Sequence, residues 1–203
     1  MNARTLLPLV AVALLAACSV GPIATAPSSS ATPTTAIATT TQAPTTMAGT
    51  TVAATTTPES LPVPADVPAE NAVEPHVELG TIEIPRLHIS KKLLEGVTLG
   101  VLDEAPGHWP GTAMPGHLGN VVVAGHRTVF DHPFHDIDQL RNGDEVVFTT
   151  AEGRFLYRVT GTEIVTPDAM RIIDQTRAHT ATLFACHPLG STRERIVVHL
   201  ALA

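Results

Sequence analysis

Apolar positions change their rhythm along this chain, and the changes mark its parts. Residues 6–17 form one apolar run, and residues 23–58 are almost entirely Thr, Ala, Pro and Ser without any period. From Gly80 onward, short strand-length groups take over. Ile82, Ile84 and Ile89 fall among polar residues at near-alternating spacing, with Pro85 between them, which predicts strands over 80–84 and 87–94. Residues 105–116 are rich in Pro and Gly and predict an ordered loop. NVVVA at 120–124 is a continuous apolar run that Gly125 ends, placing His126 at a strand's mouth. Asn142-Gly143-Asp144 turns into a strand over 145–150, Glu152-Gly153 closes a hairpin onto 155–160, and 162–165 continues the sheet. Phe134, Ile137 and Leu140 are three apart, which fits one or two helical turns, and 167–173 predicts another short helix. Strands over 181–186 and 195–203 complete the pattern. Seven or eight short strands with few helices predict an all-β fold, closed or nearly closed into a barrel.

Composition sharpens the division. No charged residue lies between Arg4 and Glu59, and the first aromatic residue is Trp109. The large side chains that a core needs are therefore confined to a C-terminal domain expected at 79–203. The net charge of −7 is partly a tail effect, because Glu59, Asp66, Glu70, Glu74 and Glu78 occur in a span free of Lys and Arg. Setting these and Arg4 aside leaves 14 acids against 11 bases, with no basic face for nucleic acid.

Arg4 followed by a short apolar run has the form of an export signal, too short to span a bilayer comfortably. Leu15-Ala16-Ala17-Cys18 resembles a bacterial lipobox, so residues 1–18 are expected to be a lipoprotein-type signal peptide with Cys18 as the lipidated thiol. The alternative is an uncleaved signal anchor. Either places the domain outside the cytoplasmic membrane. Residues 19–78 are expected to be a disordered linker, and some 60 flexible residues give an r.m.s. reach of roughly 45 Å. The segment serves either as a tether or as a solvated tail.

With Cys18 carrying lipid, Cys186 has no disulfide partner in a compartment where structural thiols usually pair. Cys186 ends an apolar strand, and Arg195 opens the next run nine residues later. A thiol attacks a carbonyl well only as thiolate, so it needs a proton acceptor or a cation nearby. His126 is the best placed of ten histidines, whereas the side chain of His187 points away from that of Cys186 in an extended chain. Arg195 offers donors for a developing oxyanion, with Arg193 as a rival if the strand starts early. Packing remains the alternative for the thiol, and a solvated strand end for either arginine. His126, Asp131, His132 and His135 are zinc-type ligands crowded together, but their spacing matches no strong zinc pattern and Pro133 disturbs helical presentation. No metal or other cofactor is expected.

NVVVAGHRTVF, PFHDIDQLRNGDEV, TLFACHP and RERIVVH together resemble the sortases, extracytoplasmic cysteine transpeptidases of Gram-positive bacteria. AGHR, Cys-His-Pro and an Arg nine residues after the Cys are most similar to the actinobacterial class E group. IEIPRLHI and PGHWPGTAMPGHLGNV also resemble the family's opening strands and following loop. The resemblance covers about residues 80–203. It implies an eight-stranded sortase barrel with one or two short helices and His126, Cys186 and Arg195 as the triad. Cys186 would attack the Thr–Gly bond of an LPXTG or LAXTG sorting signal. The acceptor would be a cell-wall or pilin amine. Arg193, Ala185 and His187 are further candidates for substrate contact. Two departures stand out. Ala185 occupies a position where the family commonly has Thr, and the anchor resembles a lipoprotein's rather than a transmembrane segment. Ala185 favours an alternative in which the barrel binds sorting signals or wall fragments without turnover. A third reading is a hydrolase using water as acceptor.

Overall fold

The computed structural model describes residues 60–203. The expected signal peptide, Cys18 and the linker through residue 59 lie outside the described residues. Eight strands close into a barrel: β1 (Val77–Ile84), β2 (Ile89–Glu95), β3 (Gly107–His108), β4 (Gly119–Ala124), β5 (Glu145–Thr150), β6 (Gly153–Val165), β7 (His179–His187) and β8 (Glu194–Leu202). Their spatial order is β1-β2-β3-β4-β7-β8-β6-β5, and β5 returns to pair with β1. The β2–β3 and β4–β7 pairs are parallel and the rest antiparallel. Closure leaves no unpaired sheet edge.

Alternation along the strands decides which side chains meet inside. Val121 and Val123 of β4, Leu183 and Ala185 of β7, and Ile196 and Val198 of β8 join Ile82, Leu93 and Phe148 in the interior core. Tyr157 is fully buried there, packs edge-on to Phe148 and accepts the Gly116 N–H at 2.9 Å, which satisfies its hydroxyl. Positions one step out of phase, including Val122, Ala124, Phe184 and Val197, face outward. A second apolar cluster covers part of that outer face, where Val165, Ile172 and Val197 pack with Phe184.

Several elements differ from the pattern-based expectation. A 3-10 turn at Pro85–Leu87 separates β1 from β2, so the second strand starts two residues later than predicted. The predicted strands at 155–160 and 162–165 are one strand, β6, with a bulge between Val159 and Gly161 that absorbs the extra residue Thr160. The two predicted helices are single 3-10 turns, Ile137–Gln139 and Met170–Ile173. The one α-helix among the described residues, α1 (Leu99–Leu102), was not predicted, because four residues are too few to show a period. β3 falls inside the predicted loop. Its Gly107 has no alternative, since a Cβ there would stand 2.0 Å from the Gly96 carbonyl oxygen. Residues 60–76, assigned by composition to the linker, lie against the barrel. Ala65 N–H donates to Pro110 O, Trp109 Nε1–H to Ala65 O, and Leu99 N–H to Glu70 O. Two backbone hydrogen bonds and one from the Trp109 indole seat this segment, a contribution that apolar composition does not register. Among the described residues no helix is long and apolar enough to cross a membrane.

Candidate active site

The outward faces of β4, β7 and β8 converge at one end on a cavity of about 220 Å³. Sheet register brings its polar groups together. Ala124 pairs with Phe184 across the parallel β4–β7 ladder, so His126 and Cys186, each two residues further on, emerge side by side. Cys186 pairs directly with Arg195 across β7–β8. All three residues border the cavity. They are partly buried, a setting that limits water while leaving substrate access. The rest of the wall is largely apolar, with Leu99 and Leu102 from α1, Trp109 from the loop after β3, and Phe184. Val67 and Glu70 of the N-terminal segment border it as well.

Each polar group is held differently. Cys186 is a free thiol. Arg195 donates from Nη1 to the carbonyls of Thr192 and Glu194, 2.9 Å each, which fixes the guanidinium plane and leaves Nε–H and Nη2–H uncommitted among the described residues. His126 places Nε2 2.9 Å from Asp103 Oδ1 and stacks on Phe130 with ring centroids 5.5 Å apart. Phe130 has φ +53°, a left-handed conformation uncommon for a bulky residue. Gly125 precedes His126 because of a close approach: a Cβ there would meet the Phe134 ring at 2.5 Å.

Behind the site, Arg127 is 2% exposed. It donates to His187 Nδ1 at 2.9 Å and to His135 O at 3.1 Å, and it pairs with Asp138 at 2.8 Å. The loop after β4 is thereby locked to the end of β7. Because a guanidinium only donates, Nδ1 of His187 is an acceptor and its ring proton resides on Nε2.

Of the other sequence candidates, Ala185 also borders the cavity, whereas His187 and Arg193 do not. His187 is engaged by Arg127 and lies off the cavity wall. Arg193 is exposed and precedes β8, which begins at Glu194, so it does not share the Arg195 face as an early-starting strand would require. Ala185 is 3% exposed and sits in the interior core, on the opposite side of the sheet from Cys186. Its methyl is a packing group, and a Thr there would direct its hydroxyl toward the core rather than beside the thiol. Of the four residues weighed as zinc ligands, Asp131 pairs with Lys91, His126 with Asp103 and His135 with Asp136, while His132 lies beside the His135 ring. Sequence reasoning missed Asp103, Phe130 and Arg127. Only Arg127 had a local signal, its adjacency to His126.

A closed barrel that carries its thiol outside, between a histidine and an arginine on neighbouring strands, defines an outward-facing thiol-groove protein. The chain belongs to the sortase family: the sortase domain profile matches residues 82–203. It is 28% identical over 124 residues to sortase D of Bacillus subtilis, covering 59% of this chain and 61% of that protein. It is 30% identical over 141 residues to sortase SrtE1 of Streptomyces coelicolor, covering 62% and 40%. The chain thus spans less than two thirds of the length of these relatives. Among solved structures it is similar to a variant of sortase E from Streptomyces avermitilis, with TM-score 0.58, 33% identity, and 63% and 88% of the two chains covered. It is also similar to a sortase D transpeptidase of Clostridium perfringens, with TM-score 0.58, 32% identity, and 62% and 79% covered.

Proposed function

We propose that the chain is a cysteine transpeptidase acting on an LPXTG- or LAXTG-like sorting signal, with Cys186, His126 and Arg195 as its catalytic residues. One observation carries this reading: the three side chains border a single, largely apolar groove on the outer face of the barrel. In the proposed reaction the Cys186 thiolate attacks the carbonyl carbon of the Thr–Gly bond, forming a C–S bond and a tetrahedral oxyanion. Arg195 donates hydrogen bonds to that oxyanion. Collapse breaks the C–N bond, and the departing Gly amine takes a proton from the His126 imidazolium. An incoming amine then attacks the thioacyl carbon and loses its proton to the now neutral His126. The C–S bond breaks, returning thiolate and imidazolium. The donors would be secreted proteins with a C-terminal sorting signal, and the acceptor a peptidoglycan or pilin amine.

The non-catalytic alternative rests on Ala185, which borders the groove and buries its methyl in the interior core. For location we propose the outer face of the cell membrane, with Cys18 as lipid anchor. The charge-free apolar run ending in LAAC supports this.

The test is incubation of the chain with an LAXTG or LPXTG peptide and an amine, with product analysis by mass. Amine-transfer product that disappears in Cys186→Ala and His126→Ala is expected. Peptide binding without cleavage would refute the transpeptidase reading, and cleavage without transfer would make the protein a hydrolase. A Cys18→Ser chain that stays on membranes would refute the lipid anchor.

A further inference from the structure

The reaction proposed above uses His126 as a proton carrier in both directions, so the ring nitrogen presented to the groove matters. His126 Nε2 lies 2.9 Å from Asp103 Oδ1. A carboxylate only accepts hydrogen bonds, so Nε2 must bear the hydrogen in this pair. We propose that Asp103 is a positioning residue that holds His126 in its Nε2–H form and so assigns Nδ1 as the nitrogen that exchanges protons with the substrate amines. The inference rests on the transpeptidase reading and adds to it a fourth group.

Asp103 is well placed for this work. It directly follows α1, and its own N–H, not its carboxylate, caps the helix by donating to Leu99 O at 2.8 Å. The side chain is therefore free to serve His126. α1 is a firm base: Val101 is fully buried against Leu94 and Ala105, Leu102 N–H donates to Thr98 O, and Leu99 N–H donates to Glu70 O. Asp103 holds the imidazole by its edge while Phe130 covers a face, so rotation about both ring torsions is restrained. The charged groups around the groove are Glu70 from the N-terminal segment, Asp103 from α1 and Arg195 from β8. Among them Asp103 is the one within hydrogen-bond distance of the ring.

The carboxylate has two effects on the cycle. It fixes the ring orientation, so that Nδ1–H of the imidazolium is delivered to the departing amine and the Nδ1 lone pair to the incoming one. It also balances the positive charge that the ring carries before the first transfer and regains after the second. The proton count is unchanged, because Asp103 keeps its charge throughout and exchanges no proton with substrate.

The experiment combines two readouts on the full chain and its Asp103→Ala and Asp103→Asn variants: amine-transfer kinetics, and proton–nitrogen NMR of the His126 ring. The wild-type chain should display a downfield, exchange-protected ring proton correlated with Nε2. In Asp103→Ala that resonance should vanish and kcat fall about 10- to 100-fold with KM nearly unchanged. Asp103→Asn, whose carboxamide oxygen still accepts from Nε2–H, should recover part of the rate. A wild-type kcat in Asp103→Ala, or a wild-type chain without the Nε2–H resonance, overturns the proposal. A wild-type chain that never transfers peptide would defeat the transpeptidase reading, and the resonance and its loss in Asp103→Ala would still decide the Asp103–His126 assignment.

Discussion

The outer face of β4, β7 and β8 carries two grooves of similar size, about 220 Å³ at the Cys186 end and about 250 Å³ at the opposite end. They treat polar side chains in opposite ways. At the far end nearly every polar group finds another. Thr182 Oγ1 donates to Asn120 Oδ1 at 3.0 Å, and Asn120 Nδ2 donates to the carbonyls of Ile172 and Asp174. Arg171 grips both Glu163 oxygens at 2.7 Å, and His199 Nε2 lies 2.9 Å from the same carboxylate. At the near end the wall is largely apolar, and the thiol and part of the arginine fork are left uncommitted. Closed polar networks hold a structure together, whereas poised and unfilled donors serve an incoming substrate. One sheet surface thus closes its polar groups on one another at one end and leaves them open at the other.

Substitutions at the two ends should separate these roles. The largest effect belongs to Cys186→Ala, which removes the proposed nucleophile. Amine transfer should fall by a factor on the order of 10⁴ or more, while the melting transition stays close to wild type. Arg195→Ala should lower kcat about 10²- to 10³-fold by removing oxyanion donors, again with the fold intact by circular dichroism. At the far end the pattern should invert. Asn120→Ala leaves Thr182 and two carbonyls short of a partner, so denaturant unfolding should report a loss of about 1–3 kcal/mol with kcat unaltered.

The smallest effect is a pH dependence. The Arg171 guanidinium, assisted by His199, lowers the Glu163 carboxyl from its ordinary 4.5 to about 2. The folded state thus favours the ionised form. Its stabilisation is complete above 4.5 and is lost as pH falls toward about 2. Because the carboxylate is about a third exposed, screening reduces the contribution to about 1 kcal/mol. Glu163→Gln should therefore shrink the difference between unfolding free energies at pH 5 and pH 2 by about that amount.

The near end was more legible from sequence than the far end. NVVVA and TLFAC announce strands with His126 just past the end of one and Cys186 near the end of the other, and a fixed spacing puts Arg195 near the start of the next strand. Strand mouths are local features, so periodicity finds them. Asp103 was not legible, because a four-residue helix leaves no period and its 23-residue separation from His126 closes only in the folded chain. The seating of residues 60–76 was hidden for another reason. It depends on backbone donors and acceptors, which every sequence has, rather than on apolar side chains. Ala185 borders the groove while its methyl packs in the core. Adjacency to Cys186 in sequence suggested a role beside the thiol, but strand alternation sends the two side chains to opposite faces.

In the proposed reaction Cys186 becomes acylated by a sorting signal and passes the acyl group to an amine. Intact-mass and peptide-mapping spectrometry of the chain after brief exposure to an LAXTG or LPXTG peptide tests this directly. A thioester adduct on Cys186 is expected, with the mass of the peptide through its Thr, and it should discharge when an amine is added. Peptide that binds the groove while the thiol stays unmodified would contradict it.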